Sequence, residues 1–109
     1  MTSISNIKKN VLSALEDIKA FDVISIDIRK QSSIADYIII ASANSSRQAK
    51  ALADNVKDRM QKINIPLIGI EGESGSEWVL VDLGDIIIHI MTPSSRLHYN
   101  LEELWVPNN

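Results

Sequence analysis

Residues 37–41 form an uninterrupted apolar run, Tyr-Ile-Ile-Ile-Ala, in the middle of a chain of 109 residues. Three consecutive β-branched side chains favour a strand, and the absence of alternating polar residues indicates that both of its faces are covered. The run therefore predicts a strand at the centre of a sheet, with the other elements arranged around it.

The segment before this run predicts a helix followed by a half-buried strand. Apolar residues recur at helical spacing from Ile4 to Ile18, and the helix is expected to end near Ala20. Apolar and polar residues then alternate over residues 23–28, as is typical of a strand with one buried face. A polar turn over residues 29–33 leads toward the central strand.

The segment after the run predicts a second helix. Ser45 or Ser46 is suited to cap its start, and Pro66 prevents its continuation. The residues expected to form its buried stripe are Ala49, Leu52, Ala53, Val56, Met60 and Ile63.

The remaining sequence predicts three short strands and a last helix. The strands are expected at residues 67–70, 78–81 and 86–91, with turns at 71–76 and at Leu83-Gly84. Thr92-Pro93 is a favoured helix start. The residues expected on the inner face of that helix are Leu97, Leu101 and Leu104.

The predicted order is α-β-β-α-β-β-β-α, in which only the second helix makes a long crossover. Short connections between the other strands are compatible with hairpins, so the sheet is expected to be mixed and five-stranded. The fold class is therefore α+β, as a single domain over residues 1–109 with helices packed on the sheet.

Charge is divided unevenly along the chain. The first 62 residues carry ten Lys or Arg and seven Asp or Glu, whereas the rest carries seven acidic residues and one basic residue, Arg96. An acidic surface with nearby aromatic residues suits a basic partner. The net charge of −3 opposes broad nucleic-acid binding, because affinity for phosphates requires a cationic surface.

Composition also bounds the location and the chemistry. The chain has no cysteine, so disulfides and thiolate nucleophiles are excluded. No apolar run approaches the roughly 18 to 20 residues that span a bilayer, and no secretory signal is evident. We expect a protein of the cytoplasm, or of an organelle matrix after import.

No catalytic or metal-binding constellation is evident. The only histidines are His89, inside an apolar strand, and His98, on the last helix, and no nucleophile elbow or Walker loop surrounds a serine. Asp82 and Asp85 flank a turn, which favours a hairpin over a metal site. Serines at positions 45 and 46 favour helix capping over anion binding. We therefore expect no cofactor and no metal.

Trp78 is the strongest candidate for recognition. A strand tryptophan is more often a core residue, but strand parity puts Trp78 on the same side as Leu80 and Asp82. If helices cover chiefly the other face, Trp78 would be an aromatic anchor with acidic neighbours. Trp105 is expected to pack at the end of the last helix.

The chain contains five motifs, in order along nearly its whole length. The motifs are Ala35-Asp36-Tyr37; Ser42-Ala43-Asn44-Ser45-Ser46-Arg47-Gln48; Glu71-Gly72 with Trp78; Val81-Asp82-Leu83-Gly84-Asp85 leading to His89; and Arg96 with Tyr99-Asn100-Leu101-Glu102-Glu103-Leu104-Trp105. Together these motifs resemble the ribosomal silencing factor, or Iojap, family. Two positions depart from the family pattern: Ala43 stands where glycine is common, and His98, before Tyr99, stands where an apolar or aromatic residue is common.

The resemblance implies a non-enzymatic translation repressor. Such a factor binds the large ribosomal subunit at its fourteenth protein, blocks joining of the small subunit and slows protein synthesis when nutrients are limited. The resemblance also implies a nucleotidyltransferase-like fold and a possible homodimer when free. Organelle relatives assist large-subunit assembly, which is an alternative function.

Parity, charge and the resemblance together select the candidate partner-binding residues. These are Glu71, Glu73, Trp78, Leu80, Asp82, Asp85, His89, Met91 and Tyr99, although Arg96 and Tyr99 could face either the partner or the core. Two other classes stay open. One is a divergent metal-dependent nucleotidyltransferase that uses Ser45, Ser46, Asp82 and Asp85 with magnesium, and the other is a plain dimerisation module.

Overall fold

The structure, a computed structural model, describes residues 3–72 and 76–99. The predicted order of elements is confirmed. The elements are α1 (Ile4–Asp17), β1 (Phe21–Asp27), β2 (Tyr37–Ser42), α2 (Ser46–Lys62), β3 (Gly69–Glu71), β4 (Trp78–Asp82), β5 (Ile86–Met91) and α3 (Pro93–Tyr99). The predictions for Glu73, Leu101, Leu104 and Trp105 lie outside the described residues.

The five strands form one mixed sheet in the order β1-β2-β5-β4-β3. β2 and β5 pair in parallel, and the other neighbouring strands are antiparallel. The apolar run that begins at Tyr37 lies between β1 and β5, and residues 38–42 are all buried. The predictions of a mixed sheet and of a central β2 are therefore confirmed.

α1 and α2 cover one face of this sheet. The buried stripe of α2 consists of five of the six predicted residues, and Ile63 packs against the same core while partly exposed. The facing strand residues include Ile39, Val79, Val81 and Ile88, all with no exposed surface. Burying each large aliphatic side chain contributes roughly 1.5 to 3 kcal/mol, so this layer supplies much of the stability.

At the start of α2, Ser45 Oγ accepts a hydrogen bond from the Gln48 N–H, which confirms the capping prediction. Both long helices are followed by a residue in the left-handed conformation. After α2, this residue is Asn64, with φ 60°. In α1, Lys19 adopts φ 67°, and the Ala20 N–H donates to the Leu15 carbonyl. This left-handed ending terminates α1 at Asp17, earlier than the predicted end near Ala20.

Further details differ from the prediction. β3 spans Gly69–Glu71 and not residues 67–70. β1 begins at Phe21 and not at residue 23, because an irregularity between Phe21 and Ile24, with Asp22 at φ 48°, lets the strand start before the alternating pattern does. The prediction that Leu97 faces inward is wrong, since its side chain is 83% exposed and Ser95 is the buried residue of α3.

The sheet face opposite α1 and α2 is formed differently. In β4, Val79 and Val81 are buried under the helices, whereas Trp78, Leu80 and Asp82 are partly exposed on the other side. The predicted parity of β4 is therefore confirmed. Across residues 3–72 and 76–99, no helix has the length and apolar character to span a membrane.

Candidate partner-binding surface

Strand register brings several of the predicted site residues into adjacent positions. Glu71 of β3 pairs with Leu80 of β4, and Leu80 pairs with His89 of β5. Trp78 pairs with Met91 in the same way. Neighbouring strands lie about 4.8 Å apart, so these side chains form a compact patch on the face that α1 and α2 leave uncovered.

His89 holds the indole of Trp78. The Trp78 Nε1–H donates to His89 Nδ1 at 2.9 Å, and the ring centroids lie 5.7 Å apart. His89 is only 9% exposed, and burial lowers its pKa from 6.5 to about 4. The imidazole is therefore neutral at neutral pH, as an Nδ1 acceptor must be, and its observed contact fixes the orientation of Trp78.

Met91 lies below this surface. It has no exposed area and belongs to a second apolar cluster, against which Trp78 packs. A fully buried side chain cannot touch a partner unless the surface opens, so Met91 is not placed for the direct contact that the sequence predicts. Met91 supports Trp78 from within the sheet.

α3 brings Tyr99 to the same surface. The ring centroids of Tyr99 and Trp78 lie 4.6 Å apart, and Tyr99 is 52% exposed. Arg96 points elsewhere, because its guanidinium donates to Ser42 Oγ at 2.8 Å and to the Asp22 carbonyl. Tyr99 therefore belongs to the candidate surface, whereas Arg96 anchors α3 to the end of the sheet.

The two aspartates of the β4–β5 turn have different positions. Asp82 Oδ1 accepts a hydrogen bond from the Gly84 N–H at 2.8 Å, so its carboxylate stabilises the turn. Asp85 is exposed, and its backbone carbonyl accepts from the N–H groups of Asp36 and Tyr37. Asp82 lies about 13 Å along β4 from Trp78, so both aspartates are at the far edge of the patch.

The residues of the nucleotidyltransferase alternative are not brought together. Ser45 and Ser46 follow the end of β2, which pairs with Met91. At the opposite end of β5, Asp82 pairs with Ile87 and Asp85 directly precedes the strand. In the described part of the chain, no three His, Cys, Asp or Glu side chains are grouped as metal ligands. This geometry does not support a site that requires serines beside paired carboxylates.

Trp78 lines two depressions in the surface. One, of about 370 Å³, is lined by Glu71, Gly72, Trp78 and Leu80. Gly72 has φ 85°, and a Cβ there would lie 2.4 Å from the Trp78 carbonyl oxygen, so glycine is required for this close approach.

The other depression, of about 570 Å³, lies between β4 and α3. It includes residues that sequence reasoning missed, Glu77, Ser94 and His98. Their only signal in the sequence is the position of Glu77 next to Trp78, because the contact with α3 depends on the tertiary fold.

Comparison with known proteins identifies the family. The sequence model described as "Ribosomal silencing factor during starvation" matches residues 2–109. The chain belongs to the ribosomal silencing factor family. The resemblance detected in the sequence motifs is therefore confirmed.

Individual relatives agree with this assignment. A ribosomal silencing factor from Chromobacterium violaceum is 42% identical over 102 residues, covering 94% of this chain and 84% of the relative. A crystal structure of a Chromobacterium violaceum protein has a TM-score of 0.94 and 40% identity, covering 99% of this chain and 90% of the other.

A more distant relative comes from Mus musculus. It is named mitochondrial assembly of ribosomal large subunit protein 1 and is 31% identical over 98 residues. The match covers 87% of this chain but 43% of the mouse protein. Family membership therefore associates the chain with the ribosome and with silencing of translation, and the mouse name points to assembly in at least one relative.

Proposed function

We propose that the protein is a translation repressor that binds the large ribosomal subunit through its fourteenth protein. Occupying that site would block joining of the small subunit and slow protein synthesis under nutrient limitation. The proposed place of action is the cytoplasm, where translation occurs, and the proposed mechanism is binding without catalysis.

The observation that carries this proposal is the position of Trp78. Its indole is held by His89 on a sheet face that α1 and α2 do not cover, with Tyr99 and acidic side chains nearby. An immobilised, partly exposed tryptophan is a typical anchor of protein interfaces. Because it is already held in one orientation, less rotamer entropy is lost on binding.

Charge is consistent with the same partner. Ribosomal proteins must neutralise RNA phosphates and therefore present basic surfaces, which an acidic partner complements. Glu71 is exposed beside Leu80, and the exposed Asp85 and the partly exposed Asp82 lie at the far edge of the patch. The same acidic groups disfavour direct contact with RNA phosphates.

Co-sedimentation tests the proposed site. Purified protein is mixed with isolated large subunits, isolated small subunits and intact ribosomes, and each mixture is sedimented through sucrose. We expect the protein to sediment with large subunits alone, since joining hides the site. Equal binding to intact ribosomes would contradict a site on the joining face.

A subunit-joining assay then separates repression from assembly. We expect saturating protein to prevent mature large subunits from joining small subunits. Binding to immature large subunits only, with no effect on joining, would instead favour the assembly role suggested by the mouse relative's name. Sedimentation equilibrium of the free protein would test the proposed homodimer.

A further inference from the structure

The cleft between β4 and α3 has an acidic and aromatic lining. Its volume is about 570 Å³, and it lies directly beside the Trp78 anchor. The lining residues are Ser76, Glu77, Trp78, Ser94, Ser95, His98 and Tyr99.

The carboxylate of Glu77 is fixed in position. Its Oε1 accepts hydrogen bonds from the hydroxyls of Thr92 and Ser94, at 3.1 and 3.2 Å. Its backbone carbonyl accepts from the Thr92 N–H at 2.9 Å, which extends the β4–β5 pairing by one step. Both side-chain bonds go to the same oxygen, so Oε2 is left without a hydrogen bond from residues 3–72 and 76–99.

In the described part of the chain, Glu77 forms no ion pair with a lysine or an arginine. All eleven Lys and Arg residues lie in the described part of the chain, and the three ion pairs seen there are formed by other carboxylates. Glu77 is also exposed in the free protein. A carboxylate that is held by neutral donors and left without a cation is suited to accept one from outside.

The aromatic walls favour the same kind of ligand. The ring centroids of Trp78 and Tyr99 lie 4.6 Å apart, and the ring planes are tilted by 46°. Both rings line the cleft that contains Glu77. Aromatic faces attract cations, and the indole of Trp78 does so more strongly than the phenol ring of Tyr99. An anionic group would be repelled by the carboxylate, and a purely apolar group would leave the carboxylate without a charged partner.

We propose that this cleft binds one lysine or arginine side chain of the basic protein partner. In this arrangement Glu77 accepts charge-assisted hydrogen bonds from the cation, and its aliphatic stem packs along the wall formed by Trp78 and Tyr99. The proposal rests on the proposed function and adds to it the chemistry of one specific contact. It also assigns α3, through Ser94 and Tyr99, a direct part in recognition.

The variant Glu77→Gln tests the proposal, with Glu16→Gln as a matched control. Glu16 is an exposed carboxylate on α1, away from the cleft. Binding to isolated large subunits and to the purified fourteenth protein is measured over a salt series. We expect Glu77→Gln to weaken binding at least about tenfold and to reduce its salt dependence, and Glu16→Gln to leave both unchanged.

Two more variants separate charge from structure. Ser94→Ala removes one hydroxyl donor but keeps the carboxylate, and we expect most of the affinity and all of the salt dependence to remain. Tyr99→Leu removes one wall, and we expect the affinity to fall with the salt dependence retained. Circular dichroism and thermal unfolding establish that each variant is folded.

A double-mutant cycle identifies the cation. Each exposed Lys or Arg of the purified fourteenth protein is changed to Met in turn and paired with both forms of residue 77. We expect one such change to weaken binding of the wild-type protein and to leave the affinity of the Glu77→Gln variant unchanged. Additive losses for every partner residue would overturn the proposed contact.

The outcomes distinguish this proposal from the function on which it rests. If Trp78→Ala abolishes binding while Glu77→Gln binds as the wild type does, the cleft proposal fails and the proposed function stands. If neither change has an effect, the proposed surface itself fails. Tighter binding by Glu77→Gln would mean that the cleft faces phosphates of RNA, which also overturns the proposal.

Discussion

The two faces of the sheet are built from the same strands but differ in how they are covered. Val79 and Val81 of β4 contact α1 and α2 through a fully buried apolar layer, whereas Trp78 and Leu80 alternate with them on a partly exposed surface. A single strand therefore contributes to stability through one set of residues and to the candidate surface through the other. Substitutions on the two faces should accordingly have separable effects.

The largest effect is expected on the helix-covered face. Leu52→Ala removes a fully buried side chain of α2 and should lower the free energy of unfolding by about 2 to 5 kcal/mol. Urea unfolding measures this loss, and Lys57→Ala on the exposed side of the same helix should change it by less than about 0.5 kcal/mol. Binding per folded molecule should be unchanged by Leu52→Ala, and a specific loss of binding would show that the two faces are coupled.

The next effect concerns His89 and pH. Because burial lowers the pKa of His89 to about 4, the unfolded chain takes up a proton on this residue at higher pH than the folded chain does. The free energy of unfolding should therefore fall as the pH drops from about 6.5, and the fall should level off near pH 4. The contribution of His89 to this loss is at most about 3 kcal/mol.

The variant His89→Asn tests this assignment. Asn does not titrate, and its side-chain oxygen can accept from the Trp78 indole in place of Nδ1. Urea unfolding at several pH values between 4 and 7 should give a flatter profile for this variant than for the wild type. Parallel profiles would show that other groups carry the pH dependence.

The next prediction concerns the free energy of binding and a substitution at Trp78. Trp78→Ala should weaken binding to large subunits by about 2 kcal/mol, because a central aromatic anchor is lost. Trp78→Phe keeps an aromatic ring but removes the Nε1–H that bonds to His89, and should have an intermediate effect. If Trp78→Ala unfolds the protein while binding per folded molecule is retained, Trp78 is a core residue.

The smallest effect is expected at Asp85. Its side chain is exposed, so Asp85→Lys should change stability by less than about 0.5 kcal/mol. It should slow association with large subunits and flatten the salt dependence, since a positive charge opposes a basic partner. Stopped-flow association across a salt series measures both, and unchanged rates would show that Asp85 lies outside the interface.

The same charge reversal at Asp82 would not test binding alone. Both aspartates flank the β4–β5 turn, but only the carboxylate of Asp82 accepts from the Gly84 N–H. A lysine at position 82 would therefore remove a turn contact as well as a charge. The Asp82→Lys variant would therefore change both the stability of the protein and its binding to the partner.

Much of the fold could be predicted because its signals are local. The alternation in β4, the stripe of α2 and the cap at Ser45 depend on neighbours a few residues away. The end of α1 could not be predicted in the same way, because Lys19 takes a left-handed conformation where Gly or Asn is the usual signal. Leu97 could not be assigned correctly because the choice of Ser95 as the buried residue of α3 depends on how this helix packs against β5.

The candidate surface was predictable only in part, for a related reason. Charge and parity identified Trp78 and Leu80, but strand register was needed to place His89 beside Trp78 and Met91 beneath it. Glu77 and Ser94 were missed because their contact joins β4 to α3, and nothing in the local sequence specifies that pairing. Contacts between distant segments are the part that required the structure.

The parallel pairing of β2 with β5 also has a consequence for how the chain folds. Tyr37 pairs with Ile86, about 50 positions further along, so the centre of the sheet closes only after most of the chain is available. Until then the Tyr-Ile-Ile-Ile-Ala run of β2 lacks one of its two neighbouring strands and offers an uncharged β-branched edge to other chains. The segment that places the native sheet is thus also the one most prone to aggregation in a chain that stops short of β5.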